Sequence, residues 1–235
     1  MKCYRKLEPI KAISFDLDDT LYSNQPNMRA ASQKMVAYFQ NIFNSDKPYD
    51  FNYWLPFKKQ AIAQRPALKH DVAEVRVQCY YLGFIEHGYS EEEALKKARD
   101  AVDYFVIERS NFSVPEDIHT LLQDLKSKYT LISISNGNVD TKAIGIDKYF
   151  DLILHADLNQ RQKPSRDMFD IACNTFGLKA NEILHVGDCG KADIRGAMLA
   201  GLQSAWFPRY NVGKPVSILP TIELSDINEL RCLVS

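Results

Sequence analysis

Ala12-Ile13-Ser14-Phe15-Asp16-Leu17-Asp18-Asp19-Thr20-Leu21 runs a short apolar segment directly into three carboxylates within four residues. The apolar half has the length and continuity of a buried strand, because a strand covered on both faces loses its polar alternation. The acidic half then stands at that strand's carboxyl end. Three carboxylates so close repel one another, and partial burial makes each resist ionisation. A solvated turn does not need this crowding. A hard divalent cation does, because it takes oxygen ligands and relieves the repulsion.

A second segment of the same design lies far along the chain. Ile183-Leu184-His185-Val186-Gly187-Asp188 is apolar and ends in an acid, with Asp193 five residues further on. If the two strands are neighbours, Asp16, Asp18 and Asp188 converge on one point. Thr130–Ser135, 150–154 and 203–207 are further short apolar runs of strand length. Ser135-Asn136-Gly137 closes the first of these, and Lys163-Pro164 follows the second. A hydroxyl and an amide at such a strand end can hold an oxyanion, and a lysine there gains meaning from the acids around it. Residues 118–129 place Leu121, Leu122 and Leu125 on one helical face, and 192–200 stops at Gly201. Asp167–Phe176 reads as a helix with Ser165 as N-cap and Gly177 as stop. Strand, helix, strand at this spacing predicts βαβ units. The fold class is therefore α/β, with a Rossmann-like parallel sheet core and helices on both faces.

Residues 22–112 break that rhythm. Met35, Val36, Phe39, Ile42 and Phe43 share a helical spacing, as do Val72, Val75, Cys79, Leu82 and Ile85. Ser90 with Glu93 forms a capping box that opens a third helix, running to about Arg109. The expected arrangement is a core built from 1–21 and 113–235, with an inserted α-helical cap over 22–112. Open parallel sheets bind ligands at the carboxyl ends of their strands, so a cap leaving after the first strand covers the site.

Composition narrows the partners. Among 235 residues, 29 Lys and Arg stand against 30 Asp and Glu, giving a net charge of −1. That balance argues against a broad nucleic-acid or anionic-membrane footprint, while a local phosphate site needs only one or two cations. No apolar run approaches the roughly 18 residues of a membrane span, and residues 1–10 lack a signal-peptide core. Five scattered cysteines without a CxxC pair suggest free thiols in a reducing compartment, so a cytoplasmic location is expected.

Taken in order, Asp16-Leu17-Asp18-Asp19-Thr20-Leu21, Ser135-Asn136, Lys163-Pro164 and Gly187-Asp188 with Asp193 resemble the four motifs of the haloacid dehalogenase superfamily. The insertion resembles that superfamily's helical C1 cap. The resemblance implies a phosphoric monoester hydrolase that acts on a small-molecule phosphate ester with Mg2+ as cofactor. Asp16 would be the nucleophile forming an aspartyl-phosphate, and Asp18 the general acid and base. Ser135 would hold the phosphoryl group, bordered by Asn136 and Gly137, and Lys163 would supply positive charge. Mg2+ would be held by Asp16, the backbone carbonyl of Asp18, and Asp188, with Asp193 orienting its surroundings. Dehalogenase members resemble this chain but lack the second acid, so Asp18 argues for phosphoryl chemistry. Cys189 departs from the pattern, standing where many relatives carry an acid or small polar residue.

The opening Tyr4-Arg5, Leu7 and Pro9-Ile10, the form Ser135-Asn136-Gly137-Asn138, and Glu182 to Asp188 resemble one bacterial group of the superfamily. Its members are flavin mononucleotide (FMN) phosphatases and the phosphatase for 5-amino-6-(5-phospho-D-ribitylamino)uracil, which implies a role in riboflavin metabolism. On a cap helix, Arg76 could reach a substrate hydroxyl or carbonyl. Tyr53, Trp54 and Phe57 could stack on a planar ring or form cap core, while His155 and His185 read as core histidines. Residues 212–220 read as a surface excursion. Two alternatives stay open: a phosphatase for another sugar phosphate or nucleotide, and a non-catalytic binding protein on the same scaffold.

Overall fold

The structure is a computed structural model and describes residues 1–234. In chain order the strands are β1 (Lys2–Cys3), β2 (Ala12–Phe15), β3 (Thr130–Ser135), β4 (Leu152–His155), β5 (Ile183–Gly187), β6 (Gln203–Trp206) and β7 (Ile222–Glu223). The helices are α1 (Gln25–Phe43), α2 (Phe51–Gln64), α3 (Val72–Glu86), α4 (Glu91–Arg109), α5 (Glu116–Lys126), α6 (Asp167–Phe176) and α7 (Gly196–Ala200). One sheet has the order β1-β7-β6-β5-β2-β3-β4, parallel throughout except for β1 against β7.

Within β2, successive side chains face opposite sides of the sheet. Ile13 and Phe15 pack with Leu121, Leu122 and Leu125 of α5, whereas Ala12 joins Met168 and Phe169 of α6 and Ala197 of α7. Both faces are therefore buried, which is why the segment reads as a continuous apolar run. In register, Phe15 lies between Ser133 of β3 and Val186 of β5. From β2 the chain continues to β3 on one side, while β5 joins on the other. This reversal of strand order opens a crevice at the carboxyl ends of β2, β3 and β5.

Four helices separate β2 from α5, and their shared core joins Phe39, Trp54, Tyr80, Phe84 and Phe105. α1 begins at Gln25, well before the apolar spacing that opens at Met35, because Pro26 fits the first turn, where its missing N–H costs nothing. α2 had no sequence signal, since Pro56 inside it reads as a breaker. Asp50 nonetheless caps it by accepting from the N–H groups of Asn52 and Tyr53, and Trp54, Phe57 and Ala61 give it a buried face. Trp54 and Phe57 are thus core of the inserted helices, and the Tyr53 hydroxyl lies 2.9 Å from His87 Nε2. The Ser90–Glu93 capping box forms as expected. Ser165 does not cap α6: Arg166 holds the N-cap position, and the Ser165 hydroxyl donates to Asp167 Oδ1 at 2.7 Å. The segment at 192–200 begins as a π-helical turn over Gly190–Arg195 before becoming α7.

Candidate active site

The β2–β5 pairing extends one residue beyond the strand, with Asp16 N–H donating to the Val186 carbonyl at 2.9 Å. This bond fixes Asp16 at the sheet's edge. A tight return follows, in which Thr20 and Leu21 donate to the Leu17 carbonyl. Asp19 adopts φ +59°, a left-handed conformation that aspartate tolerates better than most residues. Its Oδ1 accepts from Asn24 N–H at 2.8 Å and so ties down the approach to α1.

Lys163 is 3% exposed and sits against Asp16. Its ammonium donates to Asp16 Oδ1 at 2.7 Å, to the Ile134 carbonyl at 2.5 Å, and pairs with Asp193 Oδ1 at 2.7 Å. Three donors thus meet three protein acceptors, and the lysine's charge reaches the crevice through Asp16. Asn136 sets the lysine's backbone: its Oδ1 accepts from Lys163 N–H at 2.7 Å, and its Nδ2 donates to the Lys163 carbonyl at 3.0 Å. The amide expected beside a phosphoryl group is therefore occupied in positioning Lys163.

Asp193 is held from two further directions. Its Oδ2 accepts from Cys189 N–H at 2.9 Å, and its Oδ1 lies 3.3 Å from His185 Nε2, whose Nδ1 lies 2.9 Å from Ser14 Oγ. At position 189 the backbone N–H is what serves Asp193, while the thiol accepts from Ala192 N–H at 3.4 Å within the π-helical turn. His185 is buried, as expected of a core histidine, but it also orients Asp193. Burial drives its imidazole from the ordinary 6.5 down to about 4. Between those values the unfolded chain binds one proton more than the fold, so stability falls as pH drops from about 6.5 to about 4, by about 3 kcal/mol in all. In urea unfolding, the stability difference between wild type and His185→Gln is expected to change by that amount between pH 7 and pH 4. A difference constant with pH refutes the assignment.

Oxygen atoms of Asp16, Asp188 and Asp193 all lie within 4.8 Å of one another. Burial pushes the Asp16 carboxyl well up, with Lys163 opposing and the other two acids adding to the rise. Burial, Asp193 and Asp19 raise Asp188 to about 7. Asp193 goes the other way: burial resists its charge, yet Lys163 and His185 hold it well below the carboxylate range. Burial also opposes the ammonium of Lys163, but Asp16 and Asp193 outweigh it and keep the charge in place. Three buried carboxylates therefore share one cation. An all-oxygen donor set short of positive charge suits a hard dication such as Mg2+, so the residues present fit that cofactor.

The side chain of Asp18 has partners of its own, and Lys163 is not among them. Arg109, the last residue of α4, donates from one Nη to both its oxygens, at 2.9 and 3.0 Å, and the Tyr22 hydroxyl donates to Oδ1 at 2.9 Å. Arg109 also donates to Asn138 Oδ1 at 2.7 Å and to Asn24 Oδ1 at 3.4 Å. Nearby, the Ser135 hydroxyl accepts from Gly137 N–H at 3.0 Å, and the Gly137 carbonyl lies 2.9 Å from His155 Nδ1. A Cβ at Gly137 would collide with Asp18 Oδ2, so that position must be glycine for Asp18 to lie where it does. Residues 212–220, expected as a surface excursion, also reach the site. Gly190 N–H donates to the Lys214 carbonyl, and Gly213 sits so close to Asp188 that a side chain there would strike its carboxylate. Arg76 makes none of these contacts: it sits within the inserted helices, with its guanidinium 3.6 Å from the centroid of Phe105 and within electrostatic range of Arg109.

Sequence reasoning missed Arg109 and the role of the loop around Gly213; Asn138 enters it only as part of a motif, and Tyr22 only as the start of the inserted segment. A basic residue in a helix's last turn has a sufficient local reason in the macrodipole, so Arg109 carried no signal of its partner.

The chain matches the haloacid dehalogenase-like hydrolase family over residues 10–201. It is 33% identical to the 5-amino-6-(5-phospho-D-ribitylamino)uracil phosphatase of Escherichia coli (strain K12), across all of both chains. It is 23% identical to the N-acylneuraminate-9-phosphatase of Rattus norvegicus, over 97% of this chain and 95% of that one. Among solved structures, a 2-haloacid dehalogenase from Pseudomonas syringae pv. Tomato DC3000 superposes with a TM-score of 0.87 at 26% identity, covering 96% of this chain and 97% of the other.

Proposed function

The chain belongs to the haloacid dehalogenase-like hydrolase family, where the two relatives compared by sequence above are phosphatases of small phosphate esters, and from this premise we propose that it is a Mg2+-dependent phosphatase of a ribityl phosphate carried on a planar heterocycle. FMN and 5-amino-6-(5-phospho-D-ribitylamino)uracil are the two substrates of choice. The observation that carries the mechanism is the contact of Asp16 with buried Lys163 at the carboxyl end of β2, beside Asp188. Identity to the Escherichia coli phosphatase supports the substrate class. Residues 22–112 serve as the cap that covers the crevice. All five cysteines are unpaired, which supports a cytoplasmic setting.

Phosphate-ester hydrolysis starts from a very high barrier. Asp16 attacks phosphorus with its carboxylate, forming an acyl-phosphate bond as the ester P–O bond breaks. Asp18 gives a proton to the departing alkoxide, and then takes one from the water that attacks the aspartyl-phosphate. Inorganic phosphate leaves and Asp16 is restored. Lys163 holds Asp16 by one oxygen, fixing its orientation. Ser135 lies beside Asp18 and Gly137, where its hydroxyl binds the phosphoryl group. Asp16, the Asp18 carbonyl and Asp188 would hold the metal, with Asp193 supporting Lys163. When bound, Mg2+ supplies Lewis-acid shielding of the phosphate charge.

Phosphate release from FMN, sugar phosphates, nucleotides and p-nitrophenyl phosphate, measured with Mg2+ and with a chelator, tests this reading. Alkyl esters need a protonated leaving group and nitrophenolate does not. Asp18→Asn is therefore expected to lose about 10²–10⁴-fold on FMN and far less on p-nitrophenyl phosphate. Equal losses on both refute the general-acid role. A clear preference for a sugar phosphate keeps the chemistry and replaces the substrate.

A further inference from the structure

The four inserted helices line a half-open cavity of about 390 Å3, with walls that include Val36, Trp54, Val75, Arg76, Tyr80 and Phe105. That volume lies within the roughly 300–1,000 Å3 typical of small-molecule pockets. Most of the wall is apolar or aromatic, so a ligand held there presents flat, weakly polar surface. The polar lining is Ser32, Gln33, Asp50, Lys58 and Arg76, and of its two cations Lys58 is exposed whereas Arg76 is half-buried. Its guanidinium lies 3.6 Å from the Phe105 centroid and bonds to the Tyr80 hydroxyl, and among the described residues no carboxylate forms an ion pair with it. The Asp50 carboxylate, also in the wall, caps α2. An arginine facing such a cavity without a carboxylate partner has N–H donors to offer a ligand's oxygens.

Two features tie this cavity to the catalytic crevice. Phe105 precedes Arg109 by four residues, one turn or about 6 Å along α4, and Arg109 bonds to Asp18. On another side, Val75 belongs to a packed cluster that includes Leu158, just beyond β4. The Phe105–Arg76 side of the cavity is thus about one helical turn from the residue that holds Asp18.

We propose that this cavity takes the ring of the phosphate ester, and that Arg76 selects planar heterocycles by donating hydrogen bonds to their ring carbonyls. The inference rests on the substrate reading above. A dione ring such as that of a pyrimidinedione or an isoalloxazine matches the site, because its faces suit the aromatic walls and its carbonyl oxygens suit the guanidinium. Arg76 is a specificity residue and takes no part in bond cleavage.

The test compares FMN with ribose 5-phosphate, which carries no ring system of this kind, in wild type, Arg76→Met and Arg76→Lys. Losing a charged hydrogen bond is expected to lower the FMN-to-ribose 5-phosphate ratio of kcat/KM by about 10–100-fold in Arg76→Met. The loss should sit in KM, with partial recovery in Arg76→Lys. Riboflavin binding, read by quenching of its fluorescence, should weaken in parallel without any turnover. Val36→Trp, which narrows the cavity from α1, should lower the same ratio and answers the question if the Arg76 variants do not fold. A proportional loss on both esters, or unchanged riboflavin binding, overturns the proposal alone. Wild-type protein that hydrolyses ribose 5-phosphate but neither hydrolyses FMN nor binds riboflavin overturns the substrate reading, and this proposal with it.

Discussion

Exchanging Lys163 for methionine is expected to destabilise the fold by about 3–5 kcal/mol, the usual cost of leaving a buried charge without its partner. Methionine keeps the length and apolar stem but removes all three donors. Asp16, Asp193 and the Ile134 carbonyl each lose their contact, and three carboxylates within 4.8 Å are left with no ammonium among them. The folded protein must then protonate its acids or recruit a cation, and this gives the effect its signature. Near pH 8 without metal the loss in urea unfolding should be largest. It should shrink near pH 5, where carboxyls raised by burial take up protons, and Mg2+ should recover part of it. Phosphate release by any folded fraction should fall by at least about 10²-fold, as for other groups that stabilise developing charge. A variant within about 1 kcal/mol of wild type at both pH values, with near-normal turnover, refutes the role given to Lys163.

The residues legible in the sequence are those whose chemistry conflicts with their surroundings. Asp16, Asp18 and Asp19 crowd the end of an apolar run, and Asp188 repeats the pattern on β5. Carboxylates there have no packing reason to exist, so they announce a site, and β2 and β5 do pair in parallel. The residues that stayed hidden each have an adequate local explanation. Arg109 suits a helix C-terminus, Tyr22 follows a motif as an ordinary aromatic, and Gly213 sits in a loop rich in turn formers. Their partners lie far along the chain: Arg109 reaches Asp18 across 91 positions. α2 was illegible for a different reason. Pro56 speaks against a helix locally, and the Asp50 cap together with packing of Trp54 and Phe57 against the neighbouring helices outweighs it. Ser165 shows the reverse error, where a good capping residue is drawn to the Asp167 side chain instead. Asn136 was singled out for the right place and has a different bond, to the backbone of Lys163.

Converting Asp16 to asparagine is expected to abolish phosphate release while leaving the metal-free fold at least as stable as wild type. Loss of a covalent nucleophile removes the reaction path itself, and a fall of at least about 10⁴-fold is in line with other nucleophile deletions. Asparagine is nearly isosteric, and its carbonyl oxygen can still accept from Lys163 in place of Asp16 Oδ1. The change removes one of three negative charges that share one cation in a buried place. Less repulsion then remains to be relieved, so the thermal midpoint without metal should hold or rise, and the further increase on adding Mg2+ should be smaller than in wild type. Activity and stability thus move independently, as they do where function requires crowded charge. Acid-quenched wild type incubated with substrate labelled in its phosphoryl group should carry label that hydroxylamine removes, the signature of an acyl phosphate, and the variant should carry none. Turnover above about a hundredth of wild type, or labelled protein in the variant, would move the nucleophile to another residue.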